Sequence, residues 1–388
     1  MGRPHPALIA LAAGREPGVP HDPDALCESA IEHRMGGLLW SDVLAGRLTP
    51  GESWMERLSR QDLTNRFWQR RLWEVLAHVN RKLLDIGVEV ATFKGVTATA
   101  RWYDREGERP CADLDLLVAP ADHHRAGEIV AALEPDHRLA QSIQPLVDSG
   151  ALQSVDLTVG DVAVDLHFDL LKYDIRGRQE ERIWERTSSF ELPAGGSVRV
   201  LDAETSLVQL LLHLNKDRFR YLLGFVDIAR ILARERLDWE YVHSFIAEEG
   251  LDVPLYLTLD VVTQLLGIDA PPHPQPGGWR AVIWRRMWPP EVRLRGDVGV
   301  ARFRNRQRWI PVMARGRLFD GMGSWLRYLF PPRALMDYYF PETAGPYLLR
   351  NVQGRLRHSL GRRRATARLR AAGPPDRERA EAPGPEDA

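Results

Sequence analysis

The chain has 388 residues, of which 44% are hydrophobic and 27% charged, a composition typical of a globular protein with more than one domain. The formal net charge is −1, so no overall positive field draws the protein to nucleic acid. The two cysteines, Cys27 and Cys111, lie far apart and fit neither a disulfide framework nor a zinc-binding spacing.

The N-terminal part of the chain has a helical pattern. Residues 7–13 are apolar, but no clear cleavage site follows them, and no stretch reaches the roughly 20 apolar residues of a membrane span. We therefore expect a cytoplasmic protein without membrane association. Residues 24–40 and 54–86 are predicted helices, and Gly87 ends the second. The second helix should bury an apolar stripe made of Leu63, Phe67, Leu72, Leu76, Val79 and Leu83.

Strand patterns dominate the next part of the chain. β-Branched residues predict a strand over 88–93, after which Lys94 and Gly95 turn the chain into a short helix. A compact strand at 113–118 precedes a helix at 122–133. Strands 153–159 and 162–168 should pair as a hairpin around the Gly160-Asp161 turn. A further short strand is expected at 198–201.

The second half of the chain is predicted to be helical. Helices are expected at residues 205–216, 219–234, 239–248 and 251–266. Prolines and glycines from Pro271 onward mark a linker or long loop. The patterns divide the chain into an N-terminal helical segment (1–86), a core of strands and helices (87–201), a helical domain (202–270), an Arg- and aromatic-rich helical region (271–370) and a disordered tail (371–388).

Arginines and aromatic residues alternate between residues 302 and 339. This pattern fits an aromatic core with arginine side chains reaching outward, which is the commoner arrangement. It also fits a nucleic-acid surface or a segment lying in a membrane interface. The sequence leaves these alternatives open.

Two aspartates on one strand provide the strongest chemical signal. Side chains two residues apart on a strand point to the same face, so Asp113 and Asp115 present their carboxylates together. Burying two adjacent anions without compensation costs several kcal/mol or more. A divalent cation removes that penalty, and Mg²⁺ accepts carboxylate and phosphate oxygens alike. Without further evidence, two such aspartates can also be solvated acids on an edge strand.

The surroundings of the pair favour a metal site over two solvated acids. Asp165 lies on another predicted strand, which could bring a third carboxylate to the same ion. His167 should share its face and could touch a phosphate or orient a carboxylate. At the strand-to-helix turn, Lys94 offers a point charge and Gly95 a backbone that can bind phosphate. Arg109 lies in a loop that could fold over a triphosphate.

These residues together resemble the uncharacterised nucleotidyltransferase family of the DNA polymerase β superfamily. Its members carry a Lys-Gly turn, an Arg before a strand with two aspartates, and a later Asp-x-His strand. The corresponding residues here are Lys94, Gly95, Arg109, Asp113, Asp115, Asp165 and His167. The resemblance spans roughly residues 75–266. It departs from the superfamily's usual Gly-Ser turn, which Lys-Gly and a longer insertion replace.

The resemblance implies an α+β fold, with a small mixed β-sheet flanked by helices and a helical C-terminal half. It implies that Asp113, Asp115 and Asp165 are catalytic and bind Mg²⁺, with Mn²⁺ as an alternative. Lys94, Gly95, Arg109 and His167 would bind the nucleotide. Lys216, one turn after His213, could line the base or acceptor pocket, as could Asp227, although a surface position is as plausible.

The implied activity is transfer of a nucleoside monophosphate from an NTP such as ATP, with release of pyrophosphate. A hydroxyl of a small molecule, peptide or protein is the favoured acceptor, and Asp165 would accept its proton or ligate the metal. The main alternative acceptor is tRNA or another RNA, and the near-zero net charge argues against it. The second functional class is a non-catalytic NTP-binding protein that acts as an accessory factor or resembles an antitoxin. Relatives of this family occur beside natural-product gene clusters, so biosynthetic proteins are also candidate partners.

Overall fold

The computed structural model describes residues 4–16, 18, 22–170, 180–217, 219–269 and 271–287, with isolated residues between 330 and 353. The chain divides into two compact units, residues 1–329 and 330–388. In the second unit, the amide N–H of Arg350 donates to the carbonyl of Pro346, as in a turn of helix. Most of the Arg- and aromatic-rich stretch at 302–339 and all of the tail lie outside the described residues.

Four helices open the first unit: α1 (Pro6–Ala12), α2 (Pro23–Glu32), α3 (Gly36–Leu44) and α4 (Glu52–Asp85). The single helix expected over 24–40 is in fact α2 and α3. The chain breaks at Arg34, whose φ of +62° is left-handed and incompatible with a continuous right-handed helix. The long helix α4 agrees with its prediction, and its last residue lies two before Gly87.

The inward face of α4 differs from the predicted apolar stripe. Leu63 and Phe67 are 62% and 61% exposed, so this part of the prediction was wrong. Polar side chains face inward there instead and bind the loop that precedes the central strand. Asn65 Nδ2 donates to the carbonyl of Gly107 at 2.8 Å, and Asp62 forms an ion pair with Arg105 at 2.6 Å. Helix α4 thus holds the loop that leads into the candidate site.

The middle of the chain forms one six-stranded mixed sheet with the order β3-β4-β2-β1-β6-β5. Its strands are β1 (Val90–Phe93), β2 (Asp113–Val118), β3 (Ser154–Val159), β4 (Val162–His167), β5 (Ser188–Glu191) and β6 (Ser197–Val200). Helix α5 (Gly95–Trp102) follows β1. A 3-10 helix (Pro120–Arg125), α6 (Ala126–Leu133) and α7 (Gln144–Asp148) lie between β2 and β3, and α8 (Glu180–Glu185) precedes β5.

The strand predictions are confirmed apart from β5. Strands β3 and β4 form the expected antiparallel hairpin, with Gly160 at φ +66° in its turn. Strand β5 was not predicted because its four residues include two serines and a glutamate and are mostly exposed. It pairs antiparallel with β6 at the edge of the sheet.

The two faces of the central strands carry different residues. Leu114 and Leu116 are fully buried on one face of β2. Asp115 lies on the other, where Phe93, Ala91 and Leu117 join a large hydrophobic cluster with the C-terminal helices. The acidic face of the sheet is therefore turned toward the helical half of the unit.

The helical half consists of α9 (Ala203–Lys216), α10 (Leu223–Arg234), α11 (Trp239–Glu249), α12 (Asp252–Leu266) and α13 (Gly278–Met287). Helix α10 begins four residues later than predicted because Phe219 has a φ of +56°. Gly250 and Gly267 end α11 and α12 in the left-handed conformation that favours glycine. Among the described residues, no helix combines the length and hydropathy that a membrane span requires. The α+β prediction is confirmed.

Candidate active site

Strand register brings Asp115 and Asp165 together. Strands β2 and β4 are parallel, and these two residues are direct partners, so their side chains share one face of the sheet. His167 Nε2 lies 3.3 Å from Asp115 Oδ1 and 3.0 Å from Asp165 Oδ2. One potential ligand atom from each of the three residues lies within 4.8 Å of the other two. The hairpin and the central strand thus bring three donor groups to a single point.

Asp115 is the most buried carboxylate of this group, with 5% of the residue exposed. The Lys94 ammonium donates to its Oδ1 at 2.5 Å. Burial by itself raises the pKa of the Asp115 carboxyl. The contact with His167 and the charge of Lys94 outweigh burial and lower the pKa below its ordinary value. Asp115 is therefore held as a carboxylate by two neighbouring cationic or hydrogen-bonding groups.

Lys94 adopts an unusual backbone conformation between β1 and α5. Its φ of 58° and ψ of −123° match the first central residue of a type II′ turn, a position that normally requires glycine. Its carbonyl accepts the N–H of Ala98 at 2.6 Å, so α5 starts immediately after it. Its Nζ lies 5.1 Å from the centroid of the Phe93 ring. Strain of this kind in a non-glycine residue is concentrated at functional sites.

Asp113 lies at the exposed first position of β2, on the same face as Asp115. It is outside the group of Asp115, Asp165 and His167 that the described residues form. Partial loss of hydration raises the pKa of the Asp113 carboxyl, and the Asp115 carboxylate raises it further. Lys94 and Arg109 oppose this increase without cancelling it. Asp113 thus contributes negative charge at the outer edge of the site.

His167 occupies the position of a third donor. Its ring is almost fully buried and meets the Phe93 ring edge-on, with 5.0 Å between centroids. The sequence left open whether it contacts a phosphate or a carboxylate, and the structure places Nε2 against two carboxylates. The Asp-x-His spacing signalled this residue, because both side chains must share one face of β4.

Arg109 makes its main contacts away from the carboxylate cluster. Its Nε and Nη2 each donate to Asp227 of α10 at 2.9 Å, and Tyr103 donates to the same carboxylate at 2.6 Å. Burial lowers the pKa of Arg109, but the Asp227 carboxylate outweighs burial and raises it above its ordinary value. The ion pair joins the loop before β2 to the helical half. A phosphate contact by Arg109 stays a prediction.

The buried partner of Arg109 could not be identified from the sequence. Asp227 is 118 residues away from Arg109, so no local spacing links them. The sequence allows Asp227 a place in a base or acceptor pocket, but its carboxylate binds Arg109 and Tyr103. His213 Nε2, one turn before Lys216, lies 3.1 Å from Oδ2 of Asp217.

Gly95 and Lys216 are the remaining predicted nucleotide-binding residues. Gly95 is the first residue of α5, and a Cβ there would lie 3.4 Å from Cys111 Sγ and 3.7 Å from Arg109 Nη1. The backbone at the turn is therefore closely approached by the loop before β2. Lys216 is the last residue of α9, but its side chain lies outside the part of the chain that the structure describes.

The donor set fits a divalent cation. Two carboxylate oxygens and one imidazole nitrogen lie within 4.8 Å, and Asp115 is buried. Carboxylates suit Mg²⁺ and Mn²⁺, and imidazole is accepted by transition metals. Such an ion would offset the repulsion between the two carboxylates, which Lys94 and His167 now offset in part.

A family model described as an uncharacterised nucleotidyltransferase matches residues 20–267, well over half of the chain. The match contains all of the residues discussed above and ends at Gly267, just after α12. No curated protein matches the chain.

Proposed function

The chain belongs to the uncharacterised nucleotidyltransferase family, and we propose that its sheet face transfers a nucleoside monophosphate from an NTP to a hydroxyl of a small molecule, peptide or protein. The acceptor oxygen forms a bond to the α-phosphorus. The bond from the α-phosphorus to the bridging oxygen breaks, and pyrophosphate leaves with that electron pair.

The observation that carries the proposal is the pairing of Asp115 with Asp165 across parallel strands, with His167 Nε2 contacting both. Adjacent carboxylates on a buried sheet face are costly unless cations compensate them. Proteins retain such arrangements where they bind metal or carry out chemistry. Nucleotidyl transfer uses metal-bound carboxylates to hold a triphosphate, so the family membership and the cluster support the same activity.

In this proposal Asp115 and Asp165 hold the ion together with Asp113, which lies at the outer edge of the site. His167 completes or orients the donor set. When bound, Mg²⁺ or Mn²⁺ neutralises phosphate charge and increases the acidity of a nearby hydroxyl. Asp165 is the more accessible of the paired acids, with 22% of its side chain exposed against 6% for Asp115. We therefore propose that Asp165 accepts the proton of the acceptor hydroxyl.

The phosphate side of the site would be formed by the turn between β1 and α5. The N–H groups at the start of α5 would donate to phosphate oxygens in the way usual for helix N-termini. Lys94 adds a positive charge next to this turn. The order of elements along the sheet thus places positive groups beside the carboxylates, as a metal–triphosphate complex requires.

Two alternatives remain for the same site. An RNA acceptor, tRNA included, would need phosphate contacts, and the net charge of −1 gives no general support for them. A non-catalytic NTP-binding accessory protein would keep the fold without needing Asp165 to accept a proton. The presence of all three aspartates favours catalysis over this second alternative.

A labelling experiment tests the proposal. The protein is incubated with each of the four NTPs labelled at the α-phosphate, with Mg²⁺ or Mn²⁺, in a lysate of the source cells. We expect label from one preferred NTP in a small molecule, peptide or protein, and pyrophosphate in stoichiometric amount. The Asp165→Asn variant serves as the matched control. Release of nucleoside diphosphate without label transfer would reject nucleotidyl transfer at this site.

A further inference from the structure

Lys94 occupies a position that conflicts with a bound cation. The Lys94 side chain is 14% exposed, and its ammonium contacts Oδ1 of Asp115, the same oxygen that lies 3.3 Å from His167 Nε2. Asp115 is one of the three donors that the cluster offers to a metal. A divalent ion that binds this carboxylate must share it with the ammonium or displace it. A bound metal ion and the Lys94 ammonium would therefore compete for one buried carboxylate.

We propose that Lys94 is a placeholder for the metal: it neutralises Asp115 in the ion-free protein and moves to the phosphates when a metal–NTP complex binds. This inference rests on the proposed function. It makes Lys94 a positioning residue that couples the binding of metal to the binding of nucleotide. The free ion should therefore bind weakly, and the complex of ion and nucleotide much more tightly.

The backbone around Lys94 permits such a movement of the side chain alone. The turn is fixed by its hydrogen bond to Ala98 and by the adjoining ends of β1 and α5. The lysine side chain has a flexible four-carbon stem, so the ammonium can move while Cα stays in place. The stem of Lys94 reaches from the end of β1 to Asp115 on β2.

Charge balance gives the direction of the coupling. An ion that binds alone brings two positive charges next to the Lys94 ammonium, and the repulsion reduces its affinity. A nucleoside triphosphate brings negative phosphates that can accept the displaced ammonium, which removes the repulsion. By linkage, a bound ion increases the affinity for nucleotide by the same factor as nucleotide increases the affinity for the ion.

The test measures metal binding separately from turnover. Free Mn²⁺ is titrated by electron paramagnetic resonance against wild-type protein and against Lys94→Met, which keeps the length of the side chain and removes its charge. Without nucleotide, we expect Lys94→Met to bind Mn²⁺ at least about tenfold more tightly, which is a lower bound on the effect of removing one positive charge a few ångströms away at an effective dielectric of about 20. With Mn²⁺ present, the same variant should bind a non-hydrolysable NTP more weakly than the wild type.

Two further variants separate charge from packing. Lys94→Arg keeps the charge and should keep the weak Mn²⁺ binding. This variant tests the role of the charge even if Lys94→Met folds poorly. Lys82→Met removes a lysine of α4 whose ammonium donates to the carbonyl of Ala132, and this variant should behave like the wild type. Asp115→Asn should abolish the Mn²⁺ binding that Lys94→Met gains, which identifies the site.

Unchanged or weaker Mn²⁺ binding in Lys94→Met would overturn the inference, as would tighter Mn²⁺ binding in Lys94→Arg. The proposed function fails in a different way. If the Mn²⁺ titrations agree with the prediction but the protein transfers no nucleotide to any acceptor, the competition between Lys94 and the metal stands and the nucleotidyl transfer is rejected.

Discussion

Asp115 and Asp165 are partners in the register of two parallel strands, and both carboxylates contact the same nitrogen of His167. The two acids nevertheless differ in surroundings. Asp115 is bound by Lys94 and almost fully buried, whereas Asp165 retains more contact with solvent. We expect the two residues to contribute differently to stability and to turnover.

Asp165→Asn should reduce nucleotidyl transfer by about 100-fold or more, because the variant can neither accept the proton nor bind the ion well. Its thermal unfolding should stay close to that of the wild type. The control is Asp156→Asn, since Asp156 is the exposed β3 partner of Asp165 and lies outside the donor cluster. Full activity in the Asp165 variant would reject its assignment.

Asp113→Ala should abolish turnover with little change in stability, because Asp113 is exposed at the start of β2. Asp115→Asn should also abolish turnover, but it leaves the Lys94 ammonium without its carboxylate and should destabilise the protein by about 1–3 kcal/mol. Urea unfolding of the two variants measures this difference. Equal stability of the two variants would contradict the role given to the contact between Lys94 and Asp115.

The Arg109–Asp227 pair should support the structure of the site by joining the loop before β2 to α10. Both side chains are buried, with 11% and 3% exposed, so Arg109→Met should cost about 3–5 kcal/mol of stability. The double variant with Asp227→Leu should recover part of that loss. Denaturant unfolding of the four proteins of the cycle measures the coupling free energy. If the double variant is stable but binds NTP poorly, a direct phosphate role for Arg109 gains support.

Asn65 and Phe67 provide a test of the inward face of α4. Asn65→Leu removes a buried hydrogen bond to the loop carbonyl of Gly107 and should destabilise the protein by about 1–3 kcal/mol. Phe67→Ala should change stability by no more than about 0.5 kcal/mol, because this side chain is exposed. Chemical denaturation distinguishes this arrangement from the apolar stripe expected from the sequence, which would reverse the order of the two effects.

The two thiols should react differently with a thiol reagent at pH 8. Burial raises the pKa of Cys27 to about 11, so this thiol stays protonated and shielded in the folded protein. Cys111 is only partly buried. We expect one fast-reacting thiol, lost in Cys111→Ser, and a second only after denaturation. Rapid native labelling of Cys27 would contradict the packing of α2.

Local patterns in the sequence were sufficient to predict most of the sheet and the acidic face. The period-two spacing of Asp113 and Asp115 and of Asp165 and His167 fixes which side chains share a face within each strand. The hairpin followed from its turn residues. These features depend on neighbours in sequence, which is the information that a single chain provides.

Contacts between distant residues could not be predicted in the same way. The pair of Arg109 and Asp227 depends on how the helical half packs against the loop, and no spacing encodes it. On α4, apolar residues at helical spacing suggested a buried stripe. The tertiary structure instead places polar side chains such as Asn65 inward, because the loop backbone needs hydrogen-bond partners there.

The most direct test of the metal site is anomalous diffraction at the manganese absorption edge, from crystals grown with Mn²⁺ and a non-hydrolysable NTP. We expect a peak about 2.0–2.3 Å from carboxylate oxygens of both Asp115 and Asp165. Lys94 Nζ should have moved from Asp115 to a phosphate oxygen. A nucleotide-bound structure with no manganese peak between these two aspartates would contradict the assignment of this sheet face as the catalytic metal site.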